Sequence, residues 1–118
     1  MNSQELCKFV VEGMQEKKAL DIVTMDLRAV DNAISDYFII CTGHSDTQID
    51  AICDSIEETV HKNANIRPWH LEGKQNKEWI LLDYIEVIVH IFRTDRRDYY
   101  AIEELWADAQ STYVENLT

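Results

Sequence analysis

The sequence predicts an α+β (mixed α/β) protein, a mixed sheet of about five strands flanked by helices. Three observations carry that prediction. Two long stretches place apolar residues at helical spacing, several shorter runs are rich in β-branched and aromatic residues, and turn signals separate them in the order α-β-β-α-β-β-β-α.

Residues 3–18 form the first helix, with Leu6, Phe9, Val10 and Met14 on one stripe and Glu5, Lys8, Glu12 and Glu16 elsewhere. Asn2 or Ser3 is positioned to cap it. Residues 21–27 (DIVTMDL) alternate as a strand, and Asp31-Asn32 marks a turn. Residues 36–42 (DYFIICT) are nearly continuous in apolar character up to Gly43, the pattern of a central strand buried on both faces. Ser45-Asp46-Thr47-Gln48 is a capping box that opens a second helix with Ile49, Ile52, Cys53, Ile56 and Val60 inward; Asn63-Ala64-Asn65 stops it.

Three strands are then expected, at 66–72, 78–84 and 86–92. Pro68 confines the first to an edge, because proline donates nothing to a ladder. Gly73 to Lys77 makes a hairpin loop, and the short break at Ile85 implies a second tight antiparallel turn. From Thr94 or Asp95 onward, Tyr99, Ile102, Leu105, Trp106 and Ala109 suit a third helix or a pair of short ones. The strands at 78–84 and 86–92 are apolar at odd and even positions alike, so both faces require cover. Either the last helix supplies it on the second face or another protein does.

Composition bounds the function. The 118 residues, 46% hydrophobic and 28% charged, are expected to form a single domain (1–118), with no apolar run approaching the ~20 residues that cross a bilayer. The first residues lack the basic head and cleavage site of a signal peptide, so the expected compartment is the cytoplasm. A net charge of -11 repels phosphate, and no basic run exceeds the pairs Lys17-Lys18 and Arg96-Arg97. A basic protein is a better partner for such a chain than nucleic acid or a membrane. Cys7, Cys41 and Cys53 form no C-x-x-C pair and sit among apolar neighbours, as small buried hydrophobes do.

Enzymatic chemistry finds little support. His44, His61, His70 and His90 lack metal-ligand spacing. Gly43-His44-Ser45 ends a strand and opens a helix, where backbone amides can hold an anion, but the turn is too short for a P-loop and lacks its lysine. With Asp83 and Glu86 it resembles the Gly-Ser turn and metal-binding acids of a nucleotidyltransferase. Those two acids straddle a turn, however, instead of forming a close pair. Cys41 with His44 has the composition of a nucleophile and base, yet a cysteine that ends an apolar strand is ordinarily inert.

Several motifs together carry a resemblance that covers the chain from Lys18 to Trp106: Lys18-Ala19-x-Asp21-Ile22, Asp36-Tyr37-Phe38-x-Ile40-Cys41-Thr42-Gly43-x-Ser45-x-x-Gln48, Glu72-Gly73, Trp79-x-Leu81-Leu82-Asp83-Tyr84, Val89-His90-x-Phe92 and Tyr100-x-x-Glu103-x-Leu105-Trp106. The chain resembles the ribosomal silencing factor family, RsfS, also called Iojap-like. Two positions depart from its pattern. Ile85-Glu86 stands where the family commonly has Gly-Asp, so the turn is expected to do without glycine's positive φ, and Ile102 replaces the more usual leucine.

The resemblance implies a nucleotidyltransferase-like fold without the catalytic acids, and hence a non-enzymatic regulator with no cofactor or metal. It implies binding to the large ribosomal subunit through a basic ribosomal protein, the one numbered fourteen, on the face that meets the small subunit. Occupying that place blocks subunit joining and represses translation when nutrients are short; a part in large-subunit maturation and a homodimer in the free state are further implications. On the motif residues, the expected protein-binding contacts are Trp79, Asp83, Tyr84, His90, Arg97, Tyr100, Glu103 and Trp106. A nucleotide-handling enzyme of nucleotidyltransferase type is the alternative.

Overall fold

The computed structural model describes residues 2–116. Its elements are α1 (Ser3–Glu16), β1 (Leu20–Asp26), β2 (Tyr37–Gly43), α2 (Asp46–Ala64), β3 (His70–Glu72), β4 (Trp79–Asp83), β5 (Val87–Arg93), α3 (Arg97–Tyr100), α4 (Ile102–Leu105) and β6 (Gln110–Tyr113). They build a six-stranded mixed sheet in the order β3-β4-β5-β2-β1-β6. β2 and β5 run parallel at its centre, and every other neighbouring pair is antiparallel.

Local chemistry sets the helix ends as anticipated. Asn2 Oδ1 accepts from the Glu5 amide and caps α1. At α2, Ser45 Oγ accepts from the Gln48 amide at 3.1 Å, while Gln48 Oε1 accepts from the His44 amide at 2.7 Å, one residue further back than in a standard capping box. The same glutamine donates through Nε2 to the Lys17 and Lys18 carbonyls and so ties the end of α1 to the start of α2. α2 ends where Asn65 turns left-handed at φ 57°.

Both long helices pack on one sheet face. Leu6, Val10 and Met14 of α1 and Ile49, Ile52, Ile56 and Val60 of α2 bury Tyr37, Ile39, Cys41, Ile80, Leu82, Val87, Val89 and Ile91. The helices cross closely at Gly13, where a Cβ would lie 2.8 Å from the Ile56 Cα, and the buried Ser55 hydroxyl donates to the Gly13 carbonyl at 2.8 Å. On the other face, Val23, Met25, Phe38, Ile40, Ile88 and Phe92 meet a thin cover of Ile102, Tyr100, Trp106 and Ala109. All three cysteines are buried, and desolvation pushes the Cys7 and Cys53 thiols up to about 12.

Three sequence expectations need correction, and a fourth, left between two alternatives, is decided. The sheet has six strands, because residues 110–113, beyond the stretch read as helix, pair antiparallel with β1. The strand expected at 66–72 shrinks to His70–Glu72, since Pro68 and the half-buried Ile66 precede the ladder; it does lie at an edge. Of the two readings of the last helical segment, the structure has the pair: two four-residue helices broken at Ala101, which is left-handed at φ 49°. Finally, Ile85 adopts φ 74° despite its branched Cβ, so the β4–β5 turn keeps the conformation that glycine favours; Asp83 Oδ1 accepts from the Ile85 amide at 2.7 Å and holds it there.

Left-handed backbone costs an L-residue about 1–2 kcal/mol, and Ile85 is 61% exposed, so it recovers little by burial. Ile85→Gly is therefore expected to raise stability by about 1 kcal/mol, measured as a higher urea midpoint with unchanged slope; a lower midpoint would show that the isoleucine contributes more by packing than it costs in strain.

Candidate functional site

Side-chain alternation along β4 and β5 builds the site. Trp79, Leu81 and Asp83 stand on the face away from the long helices, and their cross-strand partners Phe92, His90 and Ile88 stand on the same face. There the aromatic rings form a continuous layer. Trp79 stacks on Phe92 with centroids 5.1 Å apart and lies 4.7 Å from Tyr100, while Phe38 meets His90 edge-on at 4.7 Å and Trp106 at 5.9 Å.

His90 is 4% exposed in the midst of this layer. Trp79 Nε1 donates to His90 Nδ1 at 3.0 Å, which places the imidazole proton on Nε2. Nε2 has no hydrogen-bond partner among the described residues. Burial holds the ring neutral, with its pKa pushed down to about 3.

The layer is covered by the segment from Thr94 to Ala109, a strap with little internal structure. Arg97 ties it down: its Nε and Nη2 donate to the two Glu103 carboxylate oxygens at 2.7 and 3.1 Å, and its Nη1 donates to the Asp21 carbonyl at 2.6 Å. The Tyr100 hydroxyl donates to Glu78 at 3.3 Å, and Arg96 reaches the same carboxylate at 3.6 Å. The outer side of the strap presents Tyr99 (72% exposed) and Leu105 (76% exposed) with the exposed acids Asp98, Glu104 and Asp108.

The structure thus gathers Trp79, His90, Tyr100 and Trp106 into one layer and pairs Arg97 with Glu103 beside it. Asp83 shares the face and also shapes the Ile85 turn. Tyr84 does not share it. Next along β4, it points to the opposite side, where it is buried in the helix-packed core with its hydroxyl unpartnered among the described residues. Leu81, outside the expected contacts, stands on the same face between Trp79 and Asp83. Its placement follows from sequence, because positions 79, 81 and 83 of one strand must share a face.

Other clusters are less suited to chemistry. Asp83 pairs with Ile88, which pairs with Phe38, whereas Gly43 ends β2 opposite Arg93. Register therefore separates Asp83 from the Gly43-His44-Ser45 turn by five residues of strand, on the order of 16 Å. Cys53, Asp54 and Glu57 bring ligand-type atoms within 4.8 Å of one another, but the Lys74 ammonium already neutralises Asp54 at 2.7 Å.

An α+β protein with one sheet face packed under two long helices, and an aromatic second face under a thin strap, is the class these observations define. The chain belongs to the ribosomal silencing factor family: the family model described as "Ribosomal silencing factor during starvation" matches residues 1–118. It is 35% identical over 117 residues to the ribosomal silencing factor RsfS of Halalkalibacterium halodurans, covering 99% of this chain and 98% of that one. A crystal structure of a protein from Chromobacterium violaceum superposes with a TM-score of 0.84 at 31% identity, covering 97% of this chain and 93% of that chain. More distantly, it is 24% identical over 99 residues to the mouse protein named mitochondrial assembly of ribosomal large subunit protein 1, spanning 82% of this chain and 43% of that protein.

The neutral state of His90 makes stability depend on pH. Its folded pKa of about 3 lies below the ordinary value of 6.5, so between these two values the unfolded chain binds more protons than the folded one. The stabilisation is full above pH 6.5 and is lost as pH falls toward 3. Unfolding titrations are expected to show a loss of about 2 kcal/mol between pH 7 and pH 5 that His90→Leu removes; an equal loss in that variant would place its origin elsewhere.

Proposed function

We propose that the chain is a non-enzymatic repressor of translation that docks on the large ribosomal subunit and sterically blocks joining of the small subunit. The contact is with a basic ribosomal protein, the one numbered fourteen, on the intersubunit face, and the protein acts in the cytoplasm. Family membership supports the silencing role, and the name of the mouse relative supports the choice of subunit. A part in large-subunit maturation accords with the same relative.

The observation that carries the reading is the second sheet face. Trp79, Leu81 and Asp83 remain half-buried at the open side of the aromatic layer, and the strap adds exposed Tyr99 and Leu105 among the exposed acids Asp98, Glu104 and Asp108. Large aromatic anchors beside an excess of exposed acids suit a basic protein partner. The net charge of -11 favours a basic protein over ribosomal RNA as the direct contact. Within the surface, Trp79, Asp83, Tyr100, Glu103 and Trp106 are the proposed contacts, with Arg97 holding Glu103 in place and His90 lying beneath them. Tyr84 is left out because it faces the core. A nucleotidyltransferase reading gains nothing from the register, which keeps Asp83 away from Gly43.

Trp79→Ala is expected to fold as the parent does and to weaken binding to purified large subunits by about 2 kcal/mol or more, roughly thirtyfold. The parent's affinity should fall only moderately as salt rises, since apolar contacts persist when charges are screened within ~8 Å. Undiminished binding by Trp79→Ala would remove this face from the interface, and a steep salt dependence would mean direct contact with RNA.

The free protein is proposed to pair as a homodimer through part of the same face, so that docking competes with self-association. Sedimentation of the free chain should give a dimer, and a covalently cross-linked dimer should bind large subunits poorly. A monomer in sedimentation would overturn the dimer, and full binding by the cross-linked form would show the two surfaces to be separate.

A further inference from the structure

Trp79 is only half-buried, and side-chain donors commonly bond to water or backbone instead of to a buried side chain. The fold nevertheless supplies an acceptor, His90 Nδ1 at 3.0 Å, and at a visible cost. The imidazole is buried between Phe38 and Phe92, and because Nδ1 accepts, the Nε2 proton is left without a partner among the described residues. Its strand neighbours on this face, Ile88 and Phe92, show that the surroundings suit apolar side chains. An apolar residue here would avoid both the desolvated ring and the orphaned donor. What histidine provides that phenylalanine or leucine would not is an acceptor at the ring edge, aimed at the indole.

We infer that His90 is a positioning residue: it holds the Trp79 indole in the orientation that the partner meets. The inference rests on the reading of Trp79 as a binding anchor. The indole is then constrained from three directions, by the hydrogen bond to His90, by stacking on Phe92 at 5.1 Å and by the Tyr100 ring at 4.7 Å. An anchor already held in its bound rotamer loses less side-chain entropy on association, so preorganisation raises affinity without a new contact. Stability is given up at position 90 and recovered as order at position 79.

Two measurements test this. Nitrogen-15 spectra of the histidine-labelled protein at pH 7 should show His90 protonated on Nε2 with Nδ1 accepting, and the Trp79 indole proton should exchange slowly. A proton on Nδ1 would overturn the inference, because that nitrogen could then not accept. Against purified large subunits, His90→Leu should keep or raise the melting temperature yet bind about fivefold more weakly, and in a Trp79→Phe background the same substitution should have no further effect. An equal loss in that background would assign the effect to packing instead of the hydrogen bond and overturn the inference. Parent-like binding by His90→Leu alongside weakened Trp79→Ala would overturn positioning and leave the docking surface standing. Undiminished binding by Trp79→Ala would overturn both, whatever the tautomer.

Discussion

The parallel pairing of β2 with β5 is the constraint on which the rest of this protein depends. The two strands pair over seven residues, from Tyr37 with Val87 to Gly43 with Arg93, and nearly every side chain along them is buried. A parallel pair needs a crossover between its strands, and its two apolar faces both need cover. Residues 44–86 provide the crossover and contain α2. With α1 folded back beside it, α2 closes one face densely, down to the contact at Gly13 that no side chain can enter.

The opposite face is left to a weaker device. Its cover is the strap with two four-residue helices, too short to be stable by themselves, neither with a side-chain cap and joined through a left-handed alanine. Ile102 is the one residue of these helices that is buried; the ionic clamp from Arg97 to Glu103 and Asp21 supplies much of the remaining attachment. This asymmetry explains why the aromatic residues collect where they do. Large flat side chains seal a sheet face under a thin cover, and the same property suits them to a partner's surface.

Some local conflicts lie on or beside that face, while Lys18, Asp21, Asn32, Asn65 and Lys77 carry positive φ at other points of the chain. Ile85 and Ala101 take left-handed backbone, and His90 keeps an orphaned donor inside an aromatic layer. Each works against stability, and each borders the strap or the open side of β4. Natural proteins tend to retain such features where a site requires them. Across the sheet, in the helix-packed core, the cysteines are buried and both long helices carry side-chain N-caps, while the Tyr84 hydroxyl has no hydrogen-bond partner among the described residues.

Much of this was legible in the chain itself, since it rests on neighbours in sequence. The helical stripe of Leu6, Val10 and Met14, the Ser45–Gln48 cap, the Asn65 stop and the buried run of β2 are patterns carried by residues close together in sequence, and here the tertiary structure agrees with them. The motif residues from Lys18 to Trp106 likewise sufficed to indicate the family. The sixth strand was not legible: Gln110–Tyr113 is short and polar and becomes a strand only by pairing with β1, which lies far away in sequence. Nor could adjacent Asp83 and Tyr84 be assigned to the outer face and the core in turn. Alternation says that neighbours on a strand point apart, but which one points inward depends on the face that α1 and α2 occupy, and that is decided by long-range packing alone.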